Sequence, residues 1–86
     1  MRQYYIGGKR YVPEKSAVLC SHAGIGEKST LYRTGKGAFF VVEESDGGGT
    51  EARVVSRDEA FAFMDAHAAE IVTENYDAAF GTPEEA

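Results

Sequence analysis

Thr30-Leu31-Tyr32-Arg33-Thr34-Gly35-Lys36-Gly37-Ala38-Phe39-Phe40-Val41-Val42-Glu43 is the stretch on which the fold turns. Two runs rich in β-branched and aromatic residues flank Gly35-Lys36-Gly37, the pattern of an antiparallel hairpin closed through a bulge. The second run, Phe39–Val42, is apolar at successive positions instead of alternating. A strand with no polar side has both faces covered, so it belongs in the centre of a sheet with a helix over one face.

On the N-terminal side, Gln3-Tyr4-Tyr5-Ile6 and Lys9-Arg10-Tyr11-Val12 flank Gly7-Gly8, which predicts a second hairpin with a type I′ or II′ turn. Pro13 ends that ladder and bends the chain, with room for a helical turn near Pro13–Ser16. Ser16–Ser21 reads as a short strand and Ala23–Lys28 as a loop. Downstream, Ser45-Asp46-Gly47-Gly48-Gly49-Thr50 is too glycine-rich for regular structure and reads as a mobile turn. Glu51–Val55 then returns as another strand.

Ser56-Arg57-Asp58-Glu59 has the residues of a capping box, in which serine and glutamate each satisfy the other's backbone amide. At 100° per residue, Ala60, Phe61, Met64, Ala68, Ile71, Val72 and Ala79 share one face, with Glu59, Glu70, Glu74 and Asp77 opposite. The pattern allows one helix to about Phe80, or two with a break near His67–Ala69. Gly81 suits a C-terminal cap and Pro83 blocks continuation. The expectation is a single α+β domain over residues 1–81, with a frayed tail at 82–86. Its antiparallel sheet of four or five strands (two hairpins) lies within 3–55. The C-terminal helix, in one or two segments within 57–80, packs on one face.

A chain of 86 residues builds one modest core. Cys20 is its single cysteine, so no internal disulfide forms, and a reducing compartment fits best. Met1–Arg10 has no apolar run of the signal-peptide kind. No stretch reaches the ~20 apolar residues of a membrane span. The expected location is the cytoplasm, with no membrane partner. Net charge is −5 and unevenly spread: residues 1–56 balance to +2, whereas residues 57–86 set Arg57 alone against eight acids, a balance of −7.

Most chemistry is absent from the residue pattern. Gly24-Ile25-Gly26-Glu27-Lys28-Ser29 resembles a phosphate loop, but Glu27 stands where glycine must precede the lysine and would set a carboxylate against the anion. Cys20 and His22 are two apart and share a face on a strand, about 6–7 Å from one another, with no orienting carboxylate adjacent. His67 stands alone on the helix, and no spacing of histidine and cysteine along the chain reads as a metal site. Catalysis, cofactor and metal are therefore not expected. Lys36–Glu43 echoes the RNA-binding octamer of RNA-recognition motifs without its aromatic at the third and eighth positions. Tyr32, Arg33, Lys36, Lys9 and Arg10 put tyrosines and basic groups on the same hairpins, the alternative nucleic-acid face.

Tyr5 with Gly8-Lys9-Arg10-Tyr11, then Glu14 and Ala17, Leu31-Tyr32-Arg33-Thr34 with Gly37 and Phe40, Glu59-Ala60, and Phe80-Gly81 occur in that order. The arrangement resembles a group of small prokaryotic proteins of no settled activity, met on plasmids and prophages and built on "GKxY…LYRTxxGxxF…EA". The resemblance implies turn glycines, strand aromatics and a helix start, and no catalytic residue. Small acidic proteins of such elements are often inhibitors of host defence, including anti-CRISPR proteins. The leading expectation is accordingly a non-enzymatic inhibitor that binds a host protein or ribonucleoprotein complex with a basic surface. Its carboxylates would stand where phosphates lie, with Glu70, Glu74 and Asp77 as one row and Asp58 and Asp65 as a second. The alternatives are a small nucleic-acid-binding module, another protein-binding adaptor, and a homodimer paired through a strand edge.

Overall fold

The computed structural model describes residues 2–85, so the expected domain start at Met1 and tail end at Ala86 lie outside the described residues. Strands β1 (Tyr4–Ile6) and β2 (Lys9–Tyr11) form a hairpin of their own. A 3-10 turn at Pro13–Lys15 leads into a four-stranded antiparallel meander: β3 (Ala17–Gly24), β4 (Glu27–Arg33), β5 (Phe39–Ser45) and β6 (Thr50–Val55). Helix α1 (Arg57–Ala66), a 3-10 turn at Ala68–Glu70 and helix α2 (Thr73–Phe80) complete the α+β fold.

β5 takes the inner position its unbroken apolar run demands, between β4 and β6. Phe39 and Val41 point to the helices, where they pack with Leu31, Val55, Ala60 and Met64. Phe40 and Val42 point to the opposite face, which the β1–β2 hairpin covers through Tyr11, Tyr4 and Ile6. Phe40 has no exposed surface and stacks on Tyr32 at 5.0 Å, with Tyr11 tilted against it at 5.4 Å. The first hairpin thus covers the face of the sheet opposite the helices. Its turn is type I′, with Gly7 at φ +59° and Gly8 at φ +79°, a region glycine enters without penalty.

One expectation is corrected. Ala23–Lys28 is not a loop: β3 and β4 run on to Gly24 and Glu27, and Ile25-Gly26 alone turns the chain, with Gly26 at φ +76°. Ser45–Thr50 forms the expected turn, in which Ser45 N–H donates to the Gly49 carbonyl at 2.9 Å and Asp46 N–H to the Gly26 carbonyl at 2.9 Å. The helical part takes the second of its two expected forms, two helices with a break that starts at His67, and the extended, β-branched Ile71 and Val72 keep the chain from resuming helix before Thr73. Ile71 bridges to Cys20, and the Val72 amide donates to the Leu19 carbonyl at 2.9 Å. The joint between the helices therefore covers part of the β3 edge. It also turns Val72 outward, 38% exposed, away from the helical face on which periodicity placed it.

A bulge at Leu19 shifts the β3 register, so that Leu19 and Cys20, neighbours in sequence, are both fully buried. No helix among the described residues is long and apolar enough to cross a membrane.

Candidate functional site

The helical layer carries the carboxylates. Asp58 and Asp65 lie two turns apart on α1 and both are exposed; Glu74 and Asp77 lie one turn apart on α2. Glu70 does not extend the α2 row as expected. It sits on the 3-10 turn before the Ile71–Val72 joint, and its Oε2 lies 3.3 Å from His22 Nδ1. Asp58 and Glu74 stand in the first turns of their helices, where the N-terminal dipole favours negative charge, so part of this surface also stabilises the helices that carry it. Arg57, the one basic residue of the segment, lays its guanidinium over the rings of Phe61 and Phe80, at 5.3 and 5.6 Å from their centroids.

Between the two helices runs a cleft of about 420 Å³. Phe61, Met64, Ala68, Ile71 and Tyr76 give it an apolar lining, and Asp65 and Asp77 add carboxylates. Neither aspartate has an ion-pair partner among the described residues. An apolar trough with unneutralised carboxylates suits a partner segment that brings both apolar side chains and lysine or arginine. Sequence periodicity missed this trough because it exists only where the chain bends between α1 and α2.

The alternative face is partly assembled. Lys9, Arg10 and Lys36 line a second cleft of about 570 Å³, and Lys15, on the Pro13–Lys15 turn, joins them. Among the described residues no carboxylate lines it. Lys15 was legible only as a residue following a proline bend whose direction the sequence does not state. Arg33 is not among the lining residues; its guanidinium lies by Gly37. Tyr32 is no base platform, since its ring is committed to Phe40 and burial pushes its hydroxyl pKa up. Tyr5, 74% exposed, is the one tyrosine with a largely open ring.

Cys20 is a core residue. Burial first, and the Glu70 carboxylate second, push its thiol pKa up, which keeps it protonated and a poor nucleophile. Its Sγ lies 3.4 Å from the His67 carbonyl. His22 is on the same face of β3, two residues on, and stacks on His67 with ring centroids 4.0 Å apart. Neither the known protein families, nor the curated proteins, nor the solved structures offer a match to this chain.

Proposed function

We propose that this chain is a non-catalytic binding module whose helical layer docks on a basic, nucleic-acid-handling surface of a host defence complex and blocks it. The observation that carries the reading is the cleft between α1 and α2, apolar in its lining and bearing Asp65 and Asp77. Glu74 and Asp58 extend the negative field beyond it. Such a surface competes with a phosphate backbone for the same lysines and arginines while its apolar contacts add affinity that salt does not screen. The resemblance to small proteins of plasmids and prophages supports a defence complex as the host partner.

The test is affinity capture from lysate of a CRISPR-bearing bacterium, at low and high salt, with the unaltered chain and with Asp65→Lys, Glu74→Lys, Asp77→Lys combined. The expected result is one nucleic-acid-handling complex, weakened by salt and lost in the triple variant, with the circular dichroism of the variant unchanged. Equal capture by the variant would refute the reading.

A second reading is favoured by one specific observation, the gathering of Lys9, Arg10, Lys15 and Lys36 around a cleft without carboxylates. That site suits a phosphate-bearing ligand directly.

A further inference from the structure

We infer that His22, His67 and Glu70 form a binding site for one divalent transition-metal ion of the zinc type. The residues come from three elements: β3, the residue that ends α1, and the 3-10 turn before α2. One ligand atom from each lies within 4.8 Å of the others. Two imidazoles and a carboxylate are the donor set that zinc takes, with a fourth position left to water. Hard cations such as calcium prefer all-oxygen shells.

A second observation points the same way. His22 Nδ1 is shielded from water yet has no hydrogen-bond partner among the described residues. Glu70 Oε2 is near it, at 3.3 Å, but the pair does not make a hydrogen bond. A shielded imidazole nitrogen without a partner is costly, and a metal ion would satisfy it. The stacked packing of the rings also brings two nitrogen donors together at a place where nothing in the core requires histidine.

The backbone around the site is fixed. The His67 amide donates to the Phe63 and Met64 carbonyls, each at 3.2 Å, and its own carbonyl accepts from the Glu70 amide at 2.9 Å and is met by the Cys20 sulfur at 3.4 Å. All three side chains reach the surface, the two histidines in part and Glu70 more fully. Their rings stack at an interplanar angle of 15°. A shared metal must lie in the plane of each imidazole about 2.0–2.1 Å from its nitrogen, so binding swings the rings out of the stack and draws the donors closer. Glu27 stands on the same rim: a methyl group at Gly24 would meet Glu27 Oε1 at 3.7 Å and His22 Nε2 at 3.9 Å. Once loaded, the ion ties β3 to the joint between the helices, and it takes Glu70 out of the acidic surface.

The experiment is calorimetric titration of the tag-free protein with zinc chloride, repeated with calcium chloride, and in parallel NMR of the histidine ring resonances. The expected result is saturable uptake of one zinc per chain, no comparable uptake of calcium, and displaced ring signals of both His22 and His67. Loss even of groups that support a metal ligand costs 10–100-fold, so His22→Asn with His67→Asn should weaken zinc binding by at least about 100-fold. Absent uptake, an unchanged affinity in the double variant, or equal binding of calcium overturns the site. If the double variant does not fold, the unaltered protein decides: zinc shifts at both imidazoles support the site, and shifts confined to other residues refute it.

Discussion

Ser56 and Glu59 close the start of α1 on themselves: the Glu59 amide donates to Ser56 Oγ and the Ser56 amide to Glu59 Oε1, each at 3.1 Å. The serine satisfies one of the amides that every helix start leaves open. Ser56→Ala should therefore cost about 1 kcal/mol, which for a chain of this size lowers Tm by about 4–8 °C in a thermal melt. The glutamate adds a pH dependence of known sign. Accepting from the Ser56 backbone amide, and secondly from its hydroxyl group, holds the Glu59 carboxyl below its ordinary value near 4.5. A carboxyl with a depressed folded pKa stabilises above the unfolded value and loses that contribution as pH falls through the folded one. Glu59→Gln keeps the shape of the box without the titration. The advantage of the unaltered protein over Glu59→Gln should thus be full at pH 6 and shrink below about pH 4.5, read from paired urea melts; an advantage that grows in acid would contradict the assignment.

At the scale of elements, the joint between α1 and α2 separates what the sequence states from what it leaves open. The joint is latched by two hydrogen bonds to the β3 edge: Val72 N–H to the Leu19 carbonyl, and Asn75 Nδ2 to the Val18 carbonyl at 2.8 Å. Asn75→Ala removes the second and leaves a part-buried carbonyl unpaired, a loss of about 1–2 kcal/mol. Because α2 meets the sheet mainly through β3, its amides should exchange with deuterium faster in this variant while β4 and β5 keep their protection. Equal loss across β5 would show that α2 and the sheet open as one unit. The two hairpins, the inner place of Phe39–Val42 and the capping box were legible because Phe39–Val42, Gly7-Gly8 and Ser56–Glu59 are local signals with one physical reading each, whereas nothing local sets the first hairpin apart as a sheet of its own. The bulge at Leu19 was not, since nothing in Ala17–His22 marks an extra residue. Nor was the His22–His67–Glu70 cluster, since His22 precedes His67 by 45 residues and only the bend after α1 brings it to His67 and Glu70. Of the acidic rows, Glu74 with Asp77 stayed together because they share an unbroken helix, and Glu70 left them because the extended Ile71 and Val72 break helical phase.

As a whole, the molecule is a slab of 41 × 32 × 21 Å, with helices on one broad face and the first hairpin on the other. Charge follows that layering only in part. The helical layer is acidic, and the cleft of Lys9, Arg10, Lys15 and Lys36 is basic. A further acidic patch, Glu27, Glu43, Glu44 and Glu51, lies by the β3–β4 and β5–β6 turns, tempered by the Arg2–Glu44 and Arg53–Glu43 pairs. The net charge of −5 thus conceals two surfaces that would attract opposite partners, and they are separable by mutation. If the basic cleft binds nucleic acid, a gel shift with single-stranded RNA at low salt should retard the unaltered chain. Lys9→Gln, Arg10→Gln and Lys36→Gln together should abolish the shift, because phosphate contacts dominate such affinity and each one lost also flattens its salt dependence. Reversing Asp65, Glu74 and Asp77 to lysine raises the net charge by six, to +1, and should strengthen any RNA binding at the cleft through the long-range field alone, by a factor that vanishes as salt shrinks the Debye length to about 3 Å at 1 M. If the helical layer is the working surface, the unaltered chain should leave RNA unshifted even at low salt, while the same lysine reversals destroy capture of the protein partner. The two outcomes exclude one another for a given partner, since a phosphate backbone and a surface that binds phosphate backbones cannot both prefer the same face.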